Sequence, residues 1–116
     1  MVVTLFLNKI QPCMLKGAML VNTIIITFYA PWVQSLKEKR MILKSLMSKA
    51  KNKFNISIAE VKHQDNHKII VLGIAYIAAD NAQADSIYEN IISFLETASD
   101  AEITDISHDW YRSGEL

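Results

Sequence analysis

Cysteine is almost absent from this chain: one residue, Cys13, in 116. A single thiol rules out a disulfide within the chain and a Cys-rich metal site, and it fits a reducing compartment, so a cytoplasmic location is expected. No apolar run is long enough to cross a bilayer. The fairly apolar start, Met1 to Leu20, lacks a basic n-region and is broken by Asn8, Lys9, Pro12, Lys16 and Gly17. It reads poorly as a signal peptide, and no membrane partner is expected. Glycine is scarce as well, at three residues, and no Gly-x-Ser-x-Gly elbow occurs, which removes the usual setting of a hydrolase nucleophile. Net charge is also lacking: 12 basic residues balance 12 acidic ones, so the overall charge points to no polyanion partner.

What the chain does have is apolar content, 51% against 21% charged, enough for one folded domain rather than a disordered segment. Its charge is segregated. From Lys37 to Lys53 there are seven basic residues and one acid, Glu38; from Asp80 to Leu116 there are nine acids and one base, Arg112. One helix should be positive and the other half of the molecule negative. That helix opens at Gln34-Ser35-Leu36-Lys37-Glu38-Lys39-Arg40, where Ser35 can cap it and Glu38 can reach back to the Ser35 amide in a capping box. Its apolar stripe is Leu36, Leu43, Met47, Ala50 and Phe54.

Periodicity gives the remaining elements. A first strand spans Val21 to Ala30 and ends at Pro31. Helix one runs from about Leu36 to Asn52, strand two from about Ile56 to Lys62, and His63 to His67 forms a hairpin connection into strand three, Lys68 to Ala78. Asp80 and Gln83 form a second capping box over helix two, whose stripe is Ala84, Ile87, Ile91, Phe94/Leu95 and Ala98. Strand four covers Glu102 to about Asp109, and a polar tail follows. The order β-α-β-β-α-β with right-handed crossovers predicts an α+β, ferredoxin-like sandwich, with a four-stranded antiparallel sheet and two helices on one face. The domain is expected over 19–110, with a C-terminal tail over 111–116. Residues 1–18 have no clear period. A start assigned too far upstream, a flexible arm and an extra strand from Val2 to Leu7 compete as explanations, and the first is favoured by Met19 standing just before strand one.

Small Gly73 and Ala75 suggest a close helix above strand three, which places Val71, Gly73, Ala75 and Ile77 under the helices. Ile70, Leu72, Ile74 and Tyr76 then fall on the open face with Ile25 and Tyr29, joined by Ile106 and Trp110. A large exposed apolar patch marks an interaction surface, and a homodimer or a protein partner is expected there, unless residues 1–18 or the tail fold back over it.

The string Pro31-x-x-Gln34-Ser35-Leu36-Lys37-Glu38-Lys39-Arg40 resembles the signature of the YlxP-like proteins, small conserved bacterial proteins of undetermined function. Leu43-Lys44-Ser45-Leu46, Asn55 to Val61, Gln64-Asp65 and Leu72-Gly73-Ile74-Ala75 continue the likeness, which runs from Met19 to about His108. It implies a ferredoxin-like fold and a bacterial cytosolic setting. The family's genes often lie among those for translation initiation and ribosome maturation factors, which associates it with RNA or ribosomes. Two departures stand out. The tryptophan that often follows Gln-Asp in the family is replaced by Asn66-His67, and the acids often found on the open face of its first strand are replaced by Ile25 and Thr27.

The chemistry of the residues narrows the function. The loop Ala30-Pro31-Trp32-Val33-Gln34 has no glycine to wrap an anion, as a ferredoxin-like acylphosphatase requires. Strand three offers only Tyr76 as an aromatic, too few for the base-stacking sheet of an RNA-recognition motif. His63, Asp65 and His67 are two histidines and an acid without a fourth ligand, so no metal or other cofactor is expected, and His108 reads as structural. No set of acid, base and nucleophile converges, so no enzyme is expected. What remains is a basic ridge, Lys37, Arg40, Lys44 and Lys51, on one side of helix one. It suits ribosomal or other structured RNA, with Trp32, Lys37, Lys39, Arg40 and Lys44 as contacts and Trp32 and Val33 exposed beside it. The plainer alternative is a solvated helix face balanced by Asp85, Glu89 and Glu96 of helix two.

Overall fold

The computed structural model describes residues 19–113. The expectations for residues 1–18 and for 114–116 lie outside them. The elements are β1 (Leu20–Tyr29), α1 (Leu36–Lys53), β2 (Ser57–Lys62), β3 (Ile69–Ala78), α2 (Asn81–Ala98) and β4 (Glu102–Arg112). The sheet is antiparallel with order β2-β3-β1-β4, the ferredoxin-like α+β arrangement the element order predicts. β4 runs on through Trp110, Tyr111 and Arg112, so the start of the expected tail is strand. Its end is tied to the start of β1, where the Ser113 amide donates to the Met19 carbonyl at 2.9 Å.

Two strands in the middle of the sheet fix the core. β1 alternates strictly, burying Ile24, Ile26 and Phe28 completely, as period-2 patterning requires. The β1–β3 register sets Ile24 opposite Ile74, Ile26 opposite Leu72 and Phe28 opposite Ile70. Ile70, Leu72, Ile74 and Tyr76 therefore share the face of Ile24, Ile26 and Phe28, packed with Leu43 and Leu46 of α1 and Ile91 and Leu95 of α2.

This corrects the sequence-based assignment of β3. Ile70, Leu72, Ile74 and Tyr76 lie under the helices, at 0 to 4% exposure, and cannot form an outer interface. Ile25 and Tyr29 do lie on the open face, at 43% and 41% exposure, but the β3 residues beside them are Gly73, paired with Ile25, and Ile69, paired with Tyr29. Ile106 and Trp110 pair with Ile26 and Asn22, and so belong to the helix side too.

Gly73 of β3 answers to a neighbouring strand, not a helix. β2 carries a bulge between Glu60 and Lys62, which leaves Val61 as the extra residue. A methyl group on Gly73 would sit 2.8 Å from Val61 Cγ1. Gly73 is small because Val61 leans over it on the open face.

Candidate nucleic-acid interface

Pro31 takes the chain off the sheet, and α1 starts five residues later, at Leu36. The Glu38 amide donates to Ser35 Oγ at 3.1 Å. The Glu38 carboxylate in turn accepts from the Gln34 amide at 2.8 Å, one residue before the Ser35 amide that the motif predicts. α2 repeats this displacement. The Gln83 amide donates to the Asp80 carboxylate at 2.8 Å, and the Ala79 amide to Gln83 Oε1 at 2.6 Å. In both helices the returning side chain secures the amide just before the cap, fixing the angle at which the loop enters.

Lys39, expected to contact RNA, is not available to do so. It is 1% exposed. Its ammonium lies 2.7 Å from the Glu60 carboxylate and donates to the carbonyls of His63 at 2.6 Å and Asn66 at 2.8 Å. His63 itself has a positive φ of 57°, which turns the hairpin so that both carbonyls face α1. Lys39 thus pins the β2–β3 hairpin to the helix through two hydrogen bonds and one ion pair. The physical reason is spacing: residues 39, 43, 46 and 50 form the buried stripe of α1, and Lys39 is its first member. Read with the acid Glu60 of β2, that spacing was the signal for a buried pair. Lys68 plays a parallel part, donating to the carbonyls of Pro31 and Val33 and so holding the β1–α1 loop against β3.

The other basic residues do form a ridge. Lys37, Arg40, Lys44 and Lys51 are all exposed, and at 1.5 Å per residue they extend over about 21 Å of helix. Among the described residues the ion pair that forms is Lys39–Glu60, and none of these four is engaged in one. Asp85, Glu89 and Glu96 of α2 make no ion pair across to α1. Between Lys44 and Lys51 the surface dips into a shallow depression lined by Met47 and Ser48. Lys53 is turned away, its ammonium lying over the rings of Phe54 and Phe94 at 5.9 and 5.5 Å.

The loop aromatic is exposed as expected, but its neighbour is not. Trp32 is 43% exposed, whereas Val33 is fully buried in the core. Trp32 lines a groove of about 360 Å³ between α1 and the end of α2, together with Met41, Ile42, Leu46, Ala98 and Asp100. Met41, which the sequence reading passed over, is 67% exposed and stands between this groove and the ridge. His63 and His67 lie in or beside the hairpin, and no cluster of three metal-type ligands forms among the described residues. His108 stacks on Tyr88 of α2, with ring centroids 4.3 Å apart. No described helix is long and apolar enough to cross a membrane.

The chain is 32% identical, over 77 residues, to the "Uncharacterized protein YlxP" of Bacillus subtilis (strain 168), covering 66% of this chain and 84% of that one. Among solved structures, the NE2512 protein of unknown function from Nitrosomonas europaea superposes with a TM-score of 0.46 at 12% identity, over 87% of this chain and 94% of its own. The de novo designed protein Foldit4 gives 0.45 at 15% identity, over 80% and 96%. The pattern of the family described as "Protein of unknown function (DUF503)" matches residues 21–108, from the first strand through the ridge and hairpin to the last strand, and the chain belongs to that family.

Proposed function

We propose that this protein is a binding module, not an enzyme, and that it binds structured RNA, with the ribosome as its setting, through the exposed face of α1. The observation that carries this reading is the ridge of Lys37, Arg40, Lys44 and Lys51, solvent-facing and without ion-pair partners among the described residues. Cations already paired would have to break those pairs before meeting a phosphate; these do not. A rigid helix holds them in one line, and the hairpin pinned by Lys39 braces that helix from behind. Phosphate contacts of this kind release counterions and tolerate sequence. Trp32, on the Met41 side of the ridge, supplies a face on which an unpaired base can stack. The resemblance to a family whose genes neighbour those for translation factors supports the ribosomal setting by association.

The test is co-sedimentation of the full chain with purified ribosomal subunits over a salt series, beside a Lys37→Glu/Arg40→Glu/Lys44→Glu variant. Salt-sensitive binding to one subunit, lost in the variant, is the expected result. Where residual binding can be measured, the salt slope should fall by roughly 0.7 to 0.9 per phosphate contact removed. Absence of binding at low salt, or equal binding by the variant, overturns the reading.

A further inference from the structure

The open face of the sheet has no part in that reading. Of the nine large apolar side chains left exposed among the described residues, five, namely Ile25, Tyr29, Val61, Ile77 and Tyr111, stand on it. The rest of the face is patterned in two ways. The outer strand β4 is acidic there, with Asp105 paired to Thr27 and Asp109 paired to Thr23. At the opposite edge, Lys62 of β2 is paired to Val71, which is itself paired to Thr27. Asp105, Thr27, Val71 and Lys62 therefore form one row straight across the sheet, with a negative charge at one end and a positive charge at the other. Neither Lys62 nor Asp105 makes an ion pair within the described chain. One step along, Ile25 stands beside Gly73 and Ala59. There the surface falls into a hollow of about 230 Å³ lined by Ser57, Ala59, Gly73 and Ala75, with Ile25 at its wall.

We infer that this face is the seat of a second copy of the same chain, related by a two-fold axis that runs along the strands between β1 and β3. Rotation about that axis exchanges left and right across the sheet and keeps each row at its own level. It therefore lays β4 of one copy over β2 of the other. Asp105 then meets Lys62 of its mate, twice by symmetry. Ile25 comes level with Gly73 of its mate, beside the hollow lined by Ser57, Ala59 and Ala75 and with Val61 on its other flank. The fit is self-complementary, as an isologous interface must be.

The other in-plane axis, perpendicular to the strands, lays β4 on β4 and sets Asp105 and Asp109 against the same acids. Like charges placed face to face disfavour that arrangement. The charge row thus selects one axis of the two, allowing for the angle of about 30° at which twisted sheets pack. Three strands of 10, 10 and 11 residues and the 6-residue β2, spaced about 4.8 Å apart, offer on the order of 600 Å² per copy. The total is near the lower edge of a standard stable interface, so a dimer of micromolar affinity is expected.

The test is sedimentation equilibrium on the full chain and four variants, with thermal melting followed by circular dichroism to show that each is folded. The wild type should sediment at twice the mass of one chain at tens of micromolar. Ile25→Asp should be monomeric. Asp105→Lys and Lys62→Asp should each weaken association tenfold or more, and the double exchange Asp105→Lys/Lys62→Asp should return it to within about threefold of the wild type. A wild type that stays monomeric at 200 µM, as it would if another part of the chain covered the face, overturns the inference. So does a dimer indifferent to both single charge changes, or a folded double exchange that fails to recover.

Discussion

Lys37 and Lys39 carry the same ammonium two residues apart, and the fold gives them opposite roles. Lys37 points to solvent, while Lys39 is enclosed by a carboxylate and two hairpin carbonyls. Removing one partner of a buried pair leaves the others desolvated and unmatched. Lys39→Met should therefore cost about 3 kcal/mol of unfolding free energy, whereas Lys37→Met should change it by less than about 0.5 kcal/mol. Urea denaturation of the two variants compares them directly. If Lys39→Met proves as mild as Lys37→Met, the hairpin does not depend on this contact.

A second residue-scale prediction concerns alkali. Burial raises the Tyr76 hydroxyl from 10.0 to about 12, assisted by the neighbouring Tyr88 and Asp85, while its proton is donated to the Ala84 carbonyl. The raised value means that the folded protein holds this proton after the unfolded chain has released it. The stabilisation is complete below pH 10 and is lost as pH rises toward 12, by an amount on the order of 2 kcal/mol. Melting temperatures measured from pH 9 to 12 should fall more steeply for the wild type than for Tyr76→Phe.

At the scale of elements, the boundaries of helices and strands were legible because their punctuation is local. Pro31 closes β1, Ser35 and Asp80 open the helices through short-range hydrogen bonds, and strict alternation marks β1. β3 was misread because its apolar run, Ile69 to Ala78, contains no charged residue to mark a face. A one-residue slip in such a strand exchanges its two faces, and only the pairing with β1 resolves it. Gly73 misled for a related reason, since the residue that needs its smallness, Val61, is placed by a bulge that no local pattern announces. Gly73→Ala should destabilise the protein by about 1 kcal/mol, and much of that loss should vanish when Val61→Ala is added. Equal effects of Gly73→Ala in the two backgrounds, read by thermal unfolding, would show that Val61 is not the constraint.

For the whole molecule, the two outer surfaces are chemically unlike and point in opposite directions. The ridge of α1 lies on the helix side, and the apolar and acidic sheet face lies on the other. A dimer closed through the sheets would carry its two ridges outward, so the proposed RNA binding and the inferred self-association would not compete for surface. Charge reversal on α1 should leave sedimentation mass unchanged, and Ile25→Asp should leave salt-sensitive RNA binding in place. The two assays therefore report on separate faces, and failure in one leaves the other interpretable.

The helix caps and the order of elements were determined by the sequence alone, because each rests on residues within a turn or two of one another; the α+β fold follows from that order, and the segregation of charge is read directly along the chain. Membership of the ridge also follows from helical spacing, and in this chain the same spacing places Lys39 on the stripe of Leu43, Leu46 and Ala50. Tertiary structure decided what spacing cannot. It set which lysine met an acid from another strand, which face of β3 the helices covered, and that Asp105 and Lys62 stand at the two ends of one row. Those facts depend on contacts between residues far apart in the chain, fixed by strand register and by the bulge at Val61, and they exist only once the sheet has closed around its core.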